Sequence, residues 1–116
     1  MSEPGCLATE LLGLNENECV RFIAEWIEHA DGDDIAVRPD FTGDVLVDVL
    51  VAAAAAYVGI RRYGYEPGWT YEPGRVLRQR VWHPGSSGVF AWSLVHAPAS
   101  FKSRGILIEE DSLRSV

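Results

Sequence analysis

The chain has 116 residues, 47% of them hydrophobic and 23% charged. That balance supports one folded domain and excludes the apolar-poor composition of a disordered chain. Its net charge of −7 is unevenly spread: residues 1–58 hold twelve acids against Arg21 and Arg38, giving −10, and residues 59–116 hold eight bases against five acids, giving +3.

Residues 1–14 read as a lead-in with one short helical turn at 7–12, ended by Gly13. Asn15 and Glu18 have capping-box spacing, and Leu14 and Cys19 occupy the positions of a hydrophobic staple, so a helix is expected from Glu16. Along it Cys19, Phe22, Ile23, Trp26, Ile27 and Ala30 recur at helical spacing as a core-facing stripe, with acids opposite and Gly32 as the stop. Residues 31–34 read as a polar turn. Residues 35–39 read as an ordered, non-helical linker, because Arg38 precedes a proline and is pushed to extended backbone.

Thr42 is placed as an N-cap, Asp44 lies in the first turn, and Gly64 follows Arg61 and Arg62, so a helix is predicted over 43–63. Asp48 is the one charged residue between Val45 and Ile60, and the alanines at 52–56 are apolar all round with little volume. A helix of that kind is buried and lets its neighbours approach closely. For Asp48 two readings stand open: a solvent-facing edge shared with Asp44, or a buried acid bound to an arginine of the second half.

A repeated tetrapeptide follows, Tyr65-Glu66-Pro67-Gly68 and Tyr71-Glu72-Pro73-Gly74, with Trp69 between the copies. Its Pro-Gly pairs predict turns, with the tyrosines and Trp69 folding back on the core. Residues 75–80 suggest a short helix with a basic face, residues 81–84 a turn, and residues 85–88 a Gly-Ser-Ser-Gly loop that lacks the Lys-Ser/Thr ending of a phosphate-binding loop. Residues 89–95 fit a buried helix or a buried strand, with helix preferred. After Pro98, residues 99–104 form a short amphipathic turn, Gly105 allows a reversal, residues 106–108 are the best strand candidate, and residues 111–116 a last helical turn. The expected architecture is mainly α: a compact single domain around the alanine-rich helix, its helical part at 15–63 and a small α+β C-terminal part at 64–116.

Two cysteines, Cys6 and Cys19, and three histidines, His29, His83 and His96, match neither a disulfide framework nor zinc-ligand spacing. No metal or cofactor is expected. The sequence lacks a basic region leading into an apolar stretch, and the apolar run at 49–60 is shorter than the ~20 residues that span a bilayer. A soluble, cytoplasmic protein is expected.

Thr42-Gly43-Asp44 before an alanine-rich helix, Arg62-Tyr63-Gly64, Trp69, Glu72-Pro73, Leu77, Trp82, and Ala97-Pro98-Ala99 with Phe101, Arg104, Gly105, Ile106 and Leu113 form a pattern over about residues 40–116. It resembles an actinobacterial domain often fused to Xre-type helix-turn-helix regulators or found beside toxin-antitoxin genes. The resemblance implies a regulatory or antitoxin-like module that binds protein. In such fusions a helix-turn-helix often stands where this chain has its acidic first 39 residues, which speaks against direct DNA binding.

The first functional expectation is a non-enzymatic interaction protein. Its partner-binding residues would be Glu18, Glu25 and Glu28 on the first long helix, facing a basic partner, together with Trp69, Trp82, Phe101 and Arg104. For Phe101 and Arg104 the other reading is structural, a core plug and an ion-pair partner for Asp48 or Glu109. The alternative function is a small ligand-binding or acid-base enzyme domain using Asp48, His83, His96 and Arg104 in a pocket walled by Trp69, Trp82 and Trp92, which requires these side chains to converge. Direct nucleic-acid binding would rest on Arg75, Arg78 and Arg80, a weak footprint on so acidic a chain. Homodimerisation through Trp26 or the alanine face is a further possibility.

Overall fold

A computed structural model describes residues 3–77, 98–108 and 113. The expectations placed on residues 78–97, 109–112 and 114–116 lie outside the described residues. Five α-helices are described: α1 (Pro4–Leu11), α2 (Glu16–His29), α3 (Gly32–Ala36), α4 (Val45–Val58) and α5 (Ala99–Lys102).

Helix α4 is the centre of the fold, and α1, α2, α3 and α5 all pack on it. Every residue from Val47 to Val58 is buried, with Ala52 to Ala56 fully so. Small side chains on all faces of this helix let its neighbours come close, as the sequence leads one to expect. The helix begins later than the sequence suggests. Asp44, not Thr42, is its N-cap, accepting from the Val47 N–H at 3.2 Å. Thr42 is spent elsewhere: its N–H and hydroxyl both donate to Asp48 Oδ1, each at 2.9 Å.

At its other end α4 passes into a π-helical turn, Gly59–Tyr63, closed by Gly64 at φ 77°. Gly59 permits this because the backbone returns very close to it. A Cβ at that position would stand 2.2 Å from the Tyr65 carbonyl oxygen. Arg62 then caps α2 from outside, donating to the Ala30 carbonyl at 2.7 Å and the Glu28 carbonyl at 3.3 Å, where a helix C-terminus favours a cation.

The capping box at Asn15 and Glu18 forms as the sequence indicates. Two neighbouring readings need correction. The lead-in is a packed helix, α1, with Pro4 in its first turn and Leu7, Ala8 and Leu11 buried against α2 and α4. The polar turn at 31–34 begins a five-residue helix, because Asp31 and Asp34 form a second capping box at 2.8 and 3.1 Å and Ile35 buries fully behind it. Consequently α2 ends at His29, ahead of Gly32, with the Ala30 N–H still bonded to the Trp26 carbonyl.

After Gly64 the chain forms two 3₁₀ turns, Gly68–Tyr71 and Pro73–Arg75. Trp69 turns inward and donates its indole N–H to the Ile35 carbonyl at 2.9 Å. The tyrosines do not follow it: Tyr65 and Tyr71 are exposed. No helix starts at Arg75, since Val76 is extended and the Leu77 N–H bonds to the Arg104 carbonyl at 3.0 Å.

The mainly α architecture is as expected, whereas the α+β C-terminal part is not found: the described residues contain no strand. Ile106, Leu107 and Ile108 are buried, but Ile106 makes only an isolated bridge and no strand extends from it among the described residues; its N–H is taken by the Phe101 carbonyl at 3.0 Å, which closes the turn after α5. No described helix is long and apolar enough to cross a membrane.

Candidate functional site

The three acids expected on one face of α2 have separate surroundings. Glu18 is half-buried and belongs to the helix start, its carboxylate accepting from the Asn15 N–H at 3.2 Å. Glu25 and Glu28 are exposed. Glu25 lines a groove between α1 and α2, and Glu28 borders a second cavity on the other side of the helix.

The groove has a volume of about 240 Å³ and is lined by Leu7, Glu10, Phe22, Glu25 and Trp26, with Cys6 and His29 completing it. Phe22 is 36% exposed, so it belongs to the groove and not to the core that its helical spacing suggests. The cause is angular. At 100° per residue, Phe22 lies about 80° from the centre of the stripe formed by Cys19, Ile23, Trp26, Ile27 and Ala30, at its outer edge. These five are all buried. Among the ion pairs between described residues, none involves Glu10, Glu25 or Glu28.

The second cavity, of about 480 Å³, is bordered by Ile27, Glu28, Tyr57, Val58, Arg61 and Arg62, with Leu113. Its size falls in the range of about 300–1,000 Å³ typical of small-molecule sites. Neither Asp48 nor Arg104 lines it.

Trp69, Phe101 and Arg104 offer a partner no surface in this structure. Phe101 is fully buried and meets Tyr57 edge to face at 5.9 Å, which is the core-plug reading. Trp69 is buried beneath Ile35. Arg104, 2% exposed, donates to the Thr70 carbonyl at 3.0 and 3.3 Å and to the Ser100 carbonyl at 2.8 Å. Its ion pair among the described residues is with Glu66 at 3.7 Å and not with Asp48, while Glu109 lies outside the described residues. Burial pushes its guanidinium below the usual arginine range, and the Glu66 charge opposes that shift.

Asp48 is buried, which removes the solvent-edge reading. The residue that approaches it from the second half is Arg75, an arginine assigned from sequence to a basic surface. Arg75 is 1% exposed and donates to the Asp48 carbonyl at 3.3 Å and the Pro39 carbonyl at 2.8 Å. Its guanidinium lies 4.1 Å from the Phe41 ring centre and 5.1 Å from that of Trp69. Desolvation lowers its pKa first, with Asp48 and Glu72 pulling back and Arg38 adding to the lowering. The available signal was Glu72 three residues before Arg75, an ion-pair spacing that closes here at 3.8 Å.

Trp82, His83, Trp92 and His96 lie outside the described residues. The two described members of the acid-base constellation, Asp48 and Arg104, are buried with separate partners, Thr42 for one and Thr70, Ser100 and Glu66 for the other. Both are spent on holding loops. Among the described residues no three His, Cys, Asp or Glu side chains gather as a metal site. Comparison of the chain with protein-family models, with curated proteins and with solved structures finds no match.

Proposed function

We propose that this chain is a non-enzymatic protein-binding module, an antitoxin-like or regulatory subunit, that engages a basic protein through the outer face of α2. The observation that carries the reading is the combination, on one helix, of exposed Glu25 and Glu28 with a partly exposed Phe22. Exposed acids speed encounter with a cationic partner and set its specificity, and an apolar anchor beside them supplies affinity. The resemblance to regulator-associated domains over residues 40–116 adds support. The contribution of Phe101 and Arg104 under this reading is to build the scaffold that presents α2, since both are buried.

The test is affinity purification of the tagged full chain, co-expressed with its neighbouring genes, followed by intact mass determination of the complex. A stoichiometric basic partner retained at low salt and released at high salt is the expected result. A lone monomer or homodimer under the same conditions would remove the reading.

A further inference from the structure

We propose that the groove between α1 and α2 is the docking site, and that its occupant is an amphipathic helix of a basic protein, a deepening that rests on the function proposed above. Such a helix would place one large apolar side chain against the exposed ring of Phe22. Its lysines or arginines would meet Glu10 and Glu25.

The size of the groove favours this occupant. About 240 Å³ is below the range of about 300–1,000 Å³ that encloses small molecules, and suits a side-chain anchor. Its walls have the division of labour found at protein interfaces. The exposed ring of Phe22, set over the edges of the buried Leu7 and Trp26, shares the groove with acids contributed by two different helices, Glu10 from α1 and Glu25 from α2. Binding energy at such sites concentrates in buried aromatic anchors, with charges at the rim.

Charge selects the sign of the partner. Glu10 and Glu25 both border the groove, no arginine or lysine lines it, and neither acid is ion-paired among the described residues. An acidic or neutral segment would leave both carboxylates uncompensated, and a cationic one pairs them. Shape selects a helix: the groove is formed by two helices, and a third packs its side-chain ridge into such a furrow. An extended segment would need an exposed sheet edge to supply main-chain bonds, and the described residues contain no strand.

Cys6 provides a built-in reporter, because it is an exposed thiol on the groove while Cys19 is buried. The experiment uses the full chain and two synthetic helical peptides of the same apolar pattern, one with lysines and one with glutamates on the polar face. Fluorescence anisotropy reads binding, and the rate of Cys6 alkylation by iodoacetamide reads occupancy of the groove. The lysine peptide is expected to bind, to slow Cys6 alkylation, and to lose about tenfold in affinity in the double variant Glu10→Gln/Glu25→Gln or in Phe22→Ser. The glutamate peptide is expected not to bind. The control variant Asp33→Asn/Asp40→Asn removes two exposed acids that lie off the groove and off α2, and is expected to bind as wild type. Urea midpoints show that each variant is folded.

Binding without protection of Cys6, or equal loss in both double variants, would overturn the groove while leaving the basic-partner reading in place. A stoichiometric basic partner whose complex alkylates at Cys6 as fast as the free chain would do the same. Failure of the lysine peptide to bind, together with no basic partner in the co-purification, would remove both.

Discussion

The guanidinium of Arg75 donates to the main-chain carbonyl of Asp48 at 3.3 Å, while the Asp48 side chain accepts twice from Thr42 at 2.9 Å. One residue thus ties the loop before α4 to the helix and anchors an arginine from the second half. The carboxylate charge also favours the cationic form of Arg75 against its desolvation. Bond and charge are separable here, because both Thr42 bonds end on Oδ1.

Asp48→Asn keeps an acceptor for Thr42 and removes the charge, whereas Asp48→Ala removes both and leaves a main-chain N–H without its partner. The alanine variant is expected to lose roughly 2–3 kcal/mol and the asparagine variant about 1 kcal/mol. Urea unfolding with a common slope measures both. Equal losses would mean that the charge facing Arg75 dominates and the Thr42 bonds contribute little.

Arg104 is expected to be among the most sensitive polar positions. It satisfies the carbonyls of Thr70 and Ser100, so it joins the first 3₁₀ turn to α5. Arg104→Ala leaves these buried acceptors and the partly buried Glu66 without it, and is expected to cost about 3 kcal/mol or more. Glu66→Gln should cost under about 1 kcal/mol, since a pair at 3.7 Å is a minor part of the arginine's bonding and the glutamine still accepts from the Tyr71 hydroxyl. Arg104→Lys should fall between, because an ammonium lacks the planar fork that reaches both carbonyls. Thermal and urea midpoints of the three variants test the order.

These two arginines also mark where reading the sequence stops. The helices α2 and α4 were legible because their signals are local: a capping box at Asn15 and Glu18, and an apolar run whose alanines leave no polar face. Helix α3 was not, since five residues carry too little periodicity to separate a helix from a polar turn. Phe22 escaped because the edge of a stripe goes inside or outside according to the neighbour, here α1. The burial of Arg75 and Arg104 depends on which carbonyls the folded loops leave unpaired. Only the tertiary arrangement settles that, so Arg75 reads from sequence as surface charge, and Arg104 as either a contact residue or an ion-pair partner of Asp48 or Glu109, with Glu66 not named. Of the expected contact residues, Glu25 and Glu28 are exposed, while Glu18, Trp69, Phe101 and Arg104 are occupied in the scaffold.

Gly59 and Gly74 both have close neighbours, but the neighbours differ in kind. A Cβ at Gly59 meets the Tyr65 carbonyl oxygen at 2.2 Å, which is main chain held by the π-helical turn. A Cβ at Gly74 meets the ring of Phe41 at 2.6 Å, and that ring is exposed and free to rotate aside. Gly59→Ala is therefore expected to cost about 2–3 kcal/mol. Gly74→Ala is expected to cost about 1 kcal/mol, through a weakened stack of Phe41 on Arg75. Comparable losses in both would show that the return of the chain at Tyr65 is less rigid than its geometry implies.

The two thiols should behave oppositely. Cys6 is exposed, whereas Cys19 is buried where α2 meets α1, with its thiol near the Leu11 and Leu14 carbonyls. Burial, and then the charges of Asp44, Glu18 and Glu16, push the Cys19 thiol above its ordinary value. Iodoacetamide at neutral pH is expected to modify Cys6 and spare Cys19 until urea unfolds the chain, as peptide mass mapping would show. A folded-state value raised above the unfolded one means that the native chain holds its proton more tightly. The stability this supplies is complete below the unfolded thiol's pKa of about 8.5 and is lost as pH rises through the raised value. Cys19→Ala removes that dependence, so the stability advantage of wild type over the variant should shrink as pH climbs above about 8.5. An advantage that stays constant across that range would place the Cys19 thiol in a more polar setting than the α1 contact provides.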